Sequence, residues 1–150
     1  MVKKGWIPPR SPLSLIQEDL FPNEWLILVS CVLLNCTSRK QVEKIMPEFV
    51  LRWPNPPALW NDDPSAVLDV IKSLGFGDRR TKRLYELAAA LIDTPCGPLW
   101  KDPRDLPGVG EYAARAHEIF CQGIIGDEEP EDGSLGRYWR WAKESNSYKI

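Results

Sequence analysis

Leu106-Pro107-Gly108-Val109-Gly110 is the stretch on which the fold turns. Two glycines one residue apart let the backbone reverse tightly with no Cβ in the way, leaving amide N–H groups pointing outward at the start of the next helix. Such a corner can cradle an anion on backbone amides and the helix dipole, contacts that need no lysine. The same five residues equally suit an ordinary helix-turn-helix link with a glycine cap. Downstream, Ala113, Ala116, Ile119 and Phe120 recur along one side of a helix over 111–122. Upstream lies a short helical piece after the turn-rich residues 94–98.

Working outward, helix signals repeat through the chain. Ser11-Pro12 reads as a cap and first helical residue opening a helix to about Leu20, which Pro22 ends. Asn23 caps the next. Residues 25–34 are apolar nearly all round, the pattern of a helix buried in the middle of a domain. Ser38 and Gln41 form a capping box for a helix to about Leu51, and Asn55-Pro56-Pro57 and Asp63-Pro64 repeat the cap-then-proline signature. Gly75 closes the second of these helices; Asp78 caps another with Leu84, Leu87, Ala88 and Leu91 as its apolar stripe. A final helix runs from about Leu135 to Lys143. No segment alternates at period two, so the expected class is all-α, in a single domain over 1–150 with no internal repeat.

The chain has 150 residues, 43% hydrophobic and 27% charged, enough for a core without disulfide staples. Its net charge of −2 does not advertise a nucleic-acid partner. The distribution says more: the acids crowd into residues 127–132, while Arg79, Arg80, Lys82 and Arg83 form a basic cluster elsewhere. The longest apolar run is about half of what a bilayer core demands, and the first residues lack a secretory signal, so an intracellular location and free thiols are expected. The four cysteines and one histidine show no zinc spacing.

With the corner at 106–110 stand Tyr112, Pro8-Pro9-Arg10-Ser11-Pro12, Gln17-Glu18, Leu33-Leu34-Asn35-x-Thr37-Ser38, Leu74-Gly75-Phe76 and Pro130-Glu131-Asp132-x-x-Leu135. In that order they resemble the helix-hairpin-helix base-excision DNA glycosylases, most of all the mismatch-specific thymine/uracil branch associated with a methyl-CpG-binding domain. The resemblance implies a hairpin, Gly108-Val109-Gly110, that grips the DNA backbone, and a downstream aspartate at the sugar. Asp132 is then the catalytic residue, since a carboxylate beneath C1′ can stabilise an oxocarbenium-like transition state and orient the attacking water. By local chemistry alone Glu131 and Asp127 are its equals, and a solvated acid is the simpler reading.

Bifunctional members carry a lysine where this chain has Tyr112, and a phenol cannot form an imine, so a monofunctional enzyme is implied. Gln17 and Tyr112 match base-pocket positions, and the amide of Gln17 could read the edge of uracil or thymine. Phe76, between Gly75 and Gly77, matches the wedge that fills the hole left by a flipped base. Asn35, Cys36 and Thr37 form a second DNA-facing loop, and Arg79 and Arg80 follow the wedge as candidate phosphate contacts. Two departures are Cys36, where the family usually has arginine, and Gly133-Ser134, where it has a basic residue.

No cysteine follows Cys121, so no iron-sulfur cluster is expected. No cofactor is required, apart from an alkali-metal ion that could sit at the hairpin. The implied partner is double-stranded DNA with a mismatched or damaged base, held by a monomer near the genome. Two rival readings stay open: a glycosylase for adenine or alkylated purines, and a noncatalytic DNA-binding module.

Overall fold

A computed structural model describes residues 2–92, 100–131 and 133–145. Among them there are eight α-helices and no strand, in agreement with the all-α expectation. The helices are α1 (Ile16–Leu20), α2 (Glu24–Leu34), α3 (Arg39–Arg52), α4 (Pro56–Trp60), α5 (Pro64–Ile71), α6 (Gly77–Leu91), α7 (Glu111–Cys121) and α8 (Gly133–Glu144). Single three-ten turns at Lys72–Leu74 and Pro103–Asp105 lead into α6 and the glycine corner.

Helix α2 is the axle. Its apolar residues face every direction, and Ile27, Leu28, Val29 and Leu33 are wholly buried. A helix without a polar face must be covered all round; α1, α3, α6 and α7 supply the cover. Asn23 caps it by accepting from the Leu26 amide at 3.0 Å. Ser38 and Gln41 cap α3 reciprocally, and Asn55 and Asp63 cap α4 and α5, each ahead of a proline. Helices α4 and α5 pack on α6, and the extended N-terminal segment straps α7 and α8: the Trp6 indole donates to Phe120 O at 3.0 Å and the Tyr138 hydroxyl to Pro9 O at 2.5 Å.

Three boundaries differ from expectation. The first helix does not open at Ser11-Pro12 but at Ile16, because the buried Glu18 carboxylate gathers the Ser11 amide (2.6 Å), the Ser11 hydroxyl (2.8 Å) and the Leu15 amide (2.6 Å). Glu18 thereby bends residues 11–15 into a loop and closes the helix start at Leu15. Helix α6 begins at Gly77 instead of after Asp78. Gly75 (φ 82°) and Phe76 (φ 51°) both take the left-handed region, tightening the turn so that Asp78 falls inside the first helical turn, where its charge suits the dipole. Helix α8 starts at Gly133, two residues early. The turn expected at 94–98 lies outside the described residues.

Removing the Glu18 carboxylate leaves three buried donors without an acceptor. Glu18→Ala is expected to lower stability by about 3 kcal/mol in urea melts followed by circular dichroism, whereas Arg10→Ala, which breaks an exposed pair with Asp19, should leave the melt nearly unchanged.

Candidate nucleic-acid interface and base pocket

Two hollows adjoin at the C-terminal end of α2 and share Asn35 and Cys36. The first is a cavity of about 360 Å³ between α1, the loop after α2, the first turn of α7 and the start of α8. Gln17, only 2% exposed, stands in its wall, and its amide donates to the Tyr112 hydroxyl at 2.8 Å and to Cys31 Sγ at 3.5 Å. Gln17 is thus oriented by residues on two other helices, although a lone glutamine in a sequence usually reads as surface. Ser134, two residues along the chain from position 132, also lines this cavity. Asp132 itself lies outside the described residues.

The approach to position 132 is held firmly. Arg115 on α7 donates to Ile125 O (2.9 Å) and Glu128 O (2.8 Å), the Trp139 indole donates to Ile125 O (3.0 Å), and Arg140 pairs with Glu129 at 2.6 Å. Gly136 fits because a Cβ there would come within 2.9 Å of Pro130 O. The backbone of the acidic loop is therefore anchored to α7 and α8, by residues that nothing in the local sequence marks out, while the side chains of Asp127, Glu128, Glu129 and Glu131 stay exposed.

The second hollow, about 440 Å³, is an open groove whose walls are Phe76, Arg79, Arg80 and Arg83 on one side and Gly108, Val109 and Gly110 on the other. The corner at 106–110 is a tight turn in which the Val109 amide donates to Leu106 O at 3.2 Å. Gly108 has φ 76° and needs glycine on conformational grounds. Gly110 does not: its φ is −89°, and a Cβ there would meet no protein atom within 4 Å. Helix α7 starts directly after it, with first-turn amides that lack intrahelical acceptors.

Phe76 is 64% exposed, so it is not the core phenylalanine that its apolar character also allowed. The Arg79 and Arg80 guanidiniums stand 5.8 and 5.9 Å from its ring centroid. Cys36 is exposed at φ 60°, in the left-handed region like Phe76 and Ser14 (φ 49°). Arg80 departs from the expectation of a solvent-facing phosphate contact: it is 5% exposed, and its guanidinium donates to Leu74 O (3.0 Å), Asn35 O (2.6 Å) and Thr37 Oγ1. Burial pushes its pKa below the usual value. Arg39, which with Lys40 forms a second basic cluster in the sequence, lines the pocket and donates to Leu13 O and Ser14 O, 26 and 25 residues away. Only the tertiary fold could reveal it.

His117 is buried against Glu24 (2.8 Å), Gln122 (2.8 Å) and the edge of Trp100, away from both hollows, in keeping with a packing role. Among the described residues no cluster of three or more His, Cys, Asp or Glu could hold a metal ion, and no helix is long and apolar enough to cross a membrane. Cys31 and Cys121 are buried, and burial raises the Cys121 thiol well above its ordinary pKa, whereas Cys36 is exposed. A thiol titration with Ellman's reagent should therefore lose one rapidly reacting equivalent in Cys36→Ser, while Cys31 and Cys121 react only on denaturation.

The pattern of the HhH-GPD superfamily base excision DNA repair proteins matches residues 29–148. A methyl-CpG-binding domain protein 4-like protein of Arabidopsis thaliana is 33% identical over 138 residues, 92% of this chain and 30% of that protein. An adenine DNA glycosylase of Mycobacterium tuberculosis is 38% identical over 115 residues, 75% of this chain and 38% of the relative. The solved structure of a thermostable thymine-DNA glycosylase superposes with a TM-score of 0.63 at 27% identity, covering 69% of this chain and 49% of that one. The chain spans less than half the length of these curated relatives. Its helical architecture, the glycine corner between helices and the extent of the match together give one conclusion: the chain belongs to the HhH-GPD superfamily of base excision DNA repair proteins.

Proposed function

We propose that this chain is a monofunctional DNA glycosylase that flips a mispaired uracil or thymine out of a duplex and hydrolyses its N-glycosidic bond. One juxtaposition carries the reading: a polar-walled cavity large enough for a small ligand opens beside a groove lined by arginines and by the glycine corner. Gln17 and Tyr112 supply the amide and phenol that would face an extruded pyrimidine. Phe76, standing out from α6, would occupy the vacated place in the stack. Gly110 is bare where the protein itself would tolerate a side chain, which fits a phosphate approaching the backbone there. Arg79 and Arg83 would contact the flanking phosphates across the groove.

Asp132 would act from below the sugar. As the bond from C1′ to the base nitrogen breaks, positive charge develops at C1′, and the carboxylate stabilises it while taking a proton from the incoming water. The water oxygen bonds C1′, the base departs with the electron pair of the broken bond and takes up, through solvent, the proton that Asp132 removed from the water, and the strand remains uncut with an abasic site. Tyr112 cannot replace water as nucleophile to form an imine. No cofactor is needed for these steps. The hairpin could offer an alkali-metal ion only backbone oxygens, since Gly108, Val109 and Gly110 carry no polar side chain; the hard, uncharged character of those ligands suits such an ion.

The adenine DNA glycosylase relative favours a second reading, removal of adenine from a mispair. Labelled duplexes carrying G:U, G:T or A:8-oxoguanine, treated with alkali to cut abasic sites, separate the two, and strand breaks without alkali would refute the monofunctional assignment. Cleavage of none would leave a noncatalytic DNA-binding module. Asp132→Asn is expected to abolish turnover yet keep mismatch binding in a gel-shift assay; unchanged turnover removes Asp132 from the mechanism. Gly110→Ala should melt like the wild type while weakening duplex affinity about tenfold, the separation expected if the space is kept for phosphate.

A further inference from the structure

We infer that Arg80 is a positioning residue that locks the loop at 35–37 and the Phe76 loop into one rigid unit, so that both engage DNA together; this rests on the DNA reading above. Two loops far apart in the sequence meet on a single guanidinium: Leu74 O, directly before the glycine that introduces Phe76, and, 45 and 43 residues from Arg80, Asn35 O and Thr37 Oγ1, which flank Cys36. A planar fork of fixed donors can span such acceptors, whereas an ammonium cannot hold the same geometry. All three acceptors are uncharged, and the side chain is 5% exposed, so this is a charge withdrawn from water to serve loop geometry.

What it clamps explains the expense. Cys36 (φ 60°) and Phe76 (φ 51°) are both side-chain-bearing residues held in the left-handed region, both exposed, and both line the same groove. A backbone in that region persists only where its surroundings over-determine it. Each loop is short, and the Asn35 and Leu74 carbonyls are pinned to one group rather than to each other. Releasing that group would free both walls at once and let the two exposed side chains drift independently. Arg79 and Arg83, on the same helix, line the groove without this triple engagement and would supply the phosphate contacts instead.

The test uses a duplex with a tetrahydrofuran abasic analogue and 2-aminopurine beside it, whose fluorescence reports insertion into the stack. Wild-type binding with a fluorescence change tests the DNA reading; absence of any wild-type response sinks that reading and the inference with it. Given a wild-type response, Arg80→Ala and Arg80→Lys are both expected to keep duplex affinity and its salt slope, lose the fluorescence change, and slow uracil excision about 100-fold in kcat. Arg79→Ala should do the reverse, flattening the salt slope by about one phosphate while keeping the fluorescence change. If Arg80→Lys behaves as the wild type and Arg80→Ala flattens the salt slope, Arg80 is a phosphate ligand and the inference is overturned. Should the Arg80 variants fail to fold, Thr37→Val decides: it removes one acceptor and no charge, and an undiminished fluorescence change with it refutes the clamp.

Discussion

The burial of α2 is the constraint from which the rest of the architecture follows. A helix whose side chains are apolar on all sides has no face to offer water, so its neighbours must be arranged around it in three dimensions. That demand places α1 and α7, far apart in sequence, on its flanks, and the C-terminal end of α2 emerges between them. Where the wrapped helix ends, backbone and polar side chains must find partners, and the groups gathered there are those of the two hollows. The pocket is a consequence of how the axle stops.

Stability is given up at that spot. Two exposed residues with side chains adopt a backbone conformation that glycine would occupy more cheaply, and one arginine is removed from solvent without a carboxylate among its hydrogen-bond acceptors. Elsewhere the same chain follows local rules closely: Asn23, Ser38, Asn55 and Asp63 all cap as their side chains favour. Cys36 and Phe76 in the left-handed region and the buried Arg80 gather at this one edge, and that concentration marks it as a part shaped by something other than folding.

Much of this was legible from residues alone, and the reason is local chemistry. Caps, prolines and the 3.6-residue period of apolar positions act over a few residues, so α2 through α7 could be read with boundaries off by one or two. The glycine corner was legible because only glycine serves its geometry at Gly108. What could not be read depends on partners distant in the chain. Ser11 looks like a helix cap until the Glu18 carboxylate claims it, and although the resemblance set Gln17 and Tyr112 in one pocket, no local pattern shows the hydrogen bond that joins them across 95 residues. Arg80 has the profile of a surface cation in a basic run; its burial arises from the meeting of two loops that no sequence window contains.

That same remoteness bears on what a partly unfolded chain retains. The Gln17–Tyr112 contact joins two helices 95 residues apart, and a pairing of that span costs more loop-closure entropy than a local one. A partly unravelled copy would carry its basic cluster without the wall that Gln17 and Tyr112 together make. The recess is therefore a property of the finished fold and of no segment taken alone.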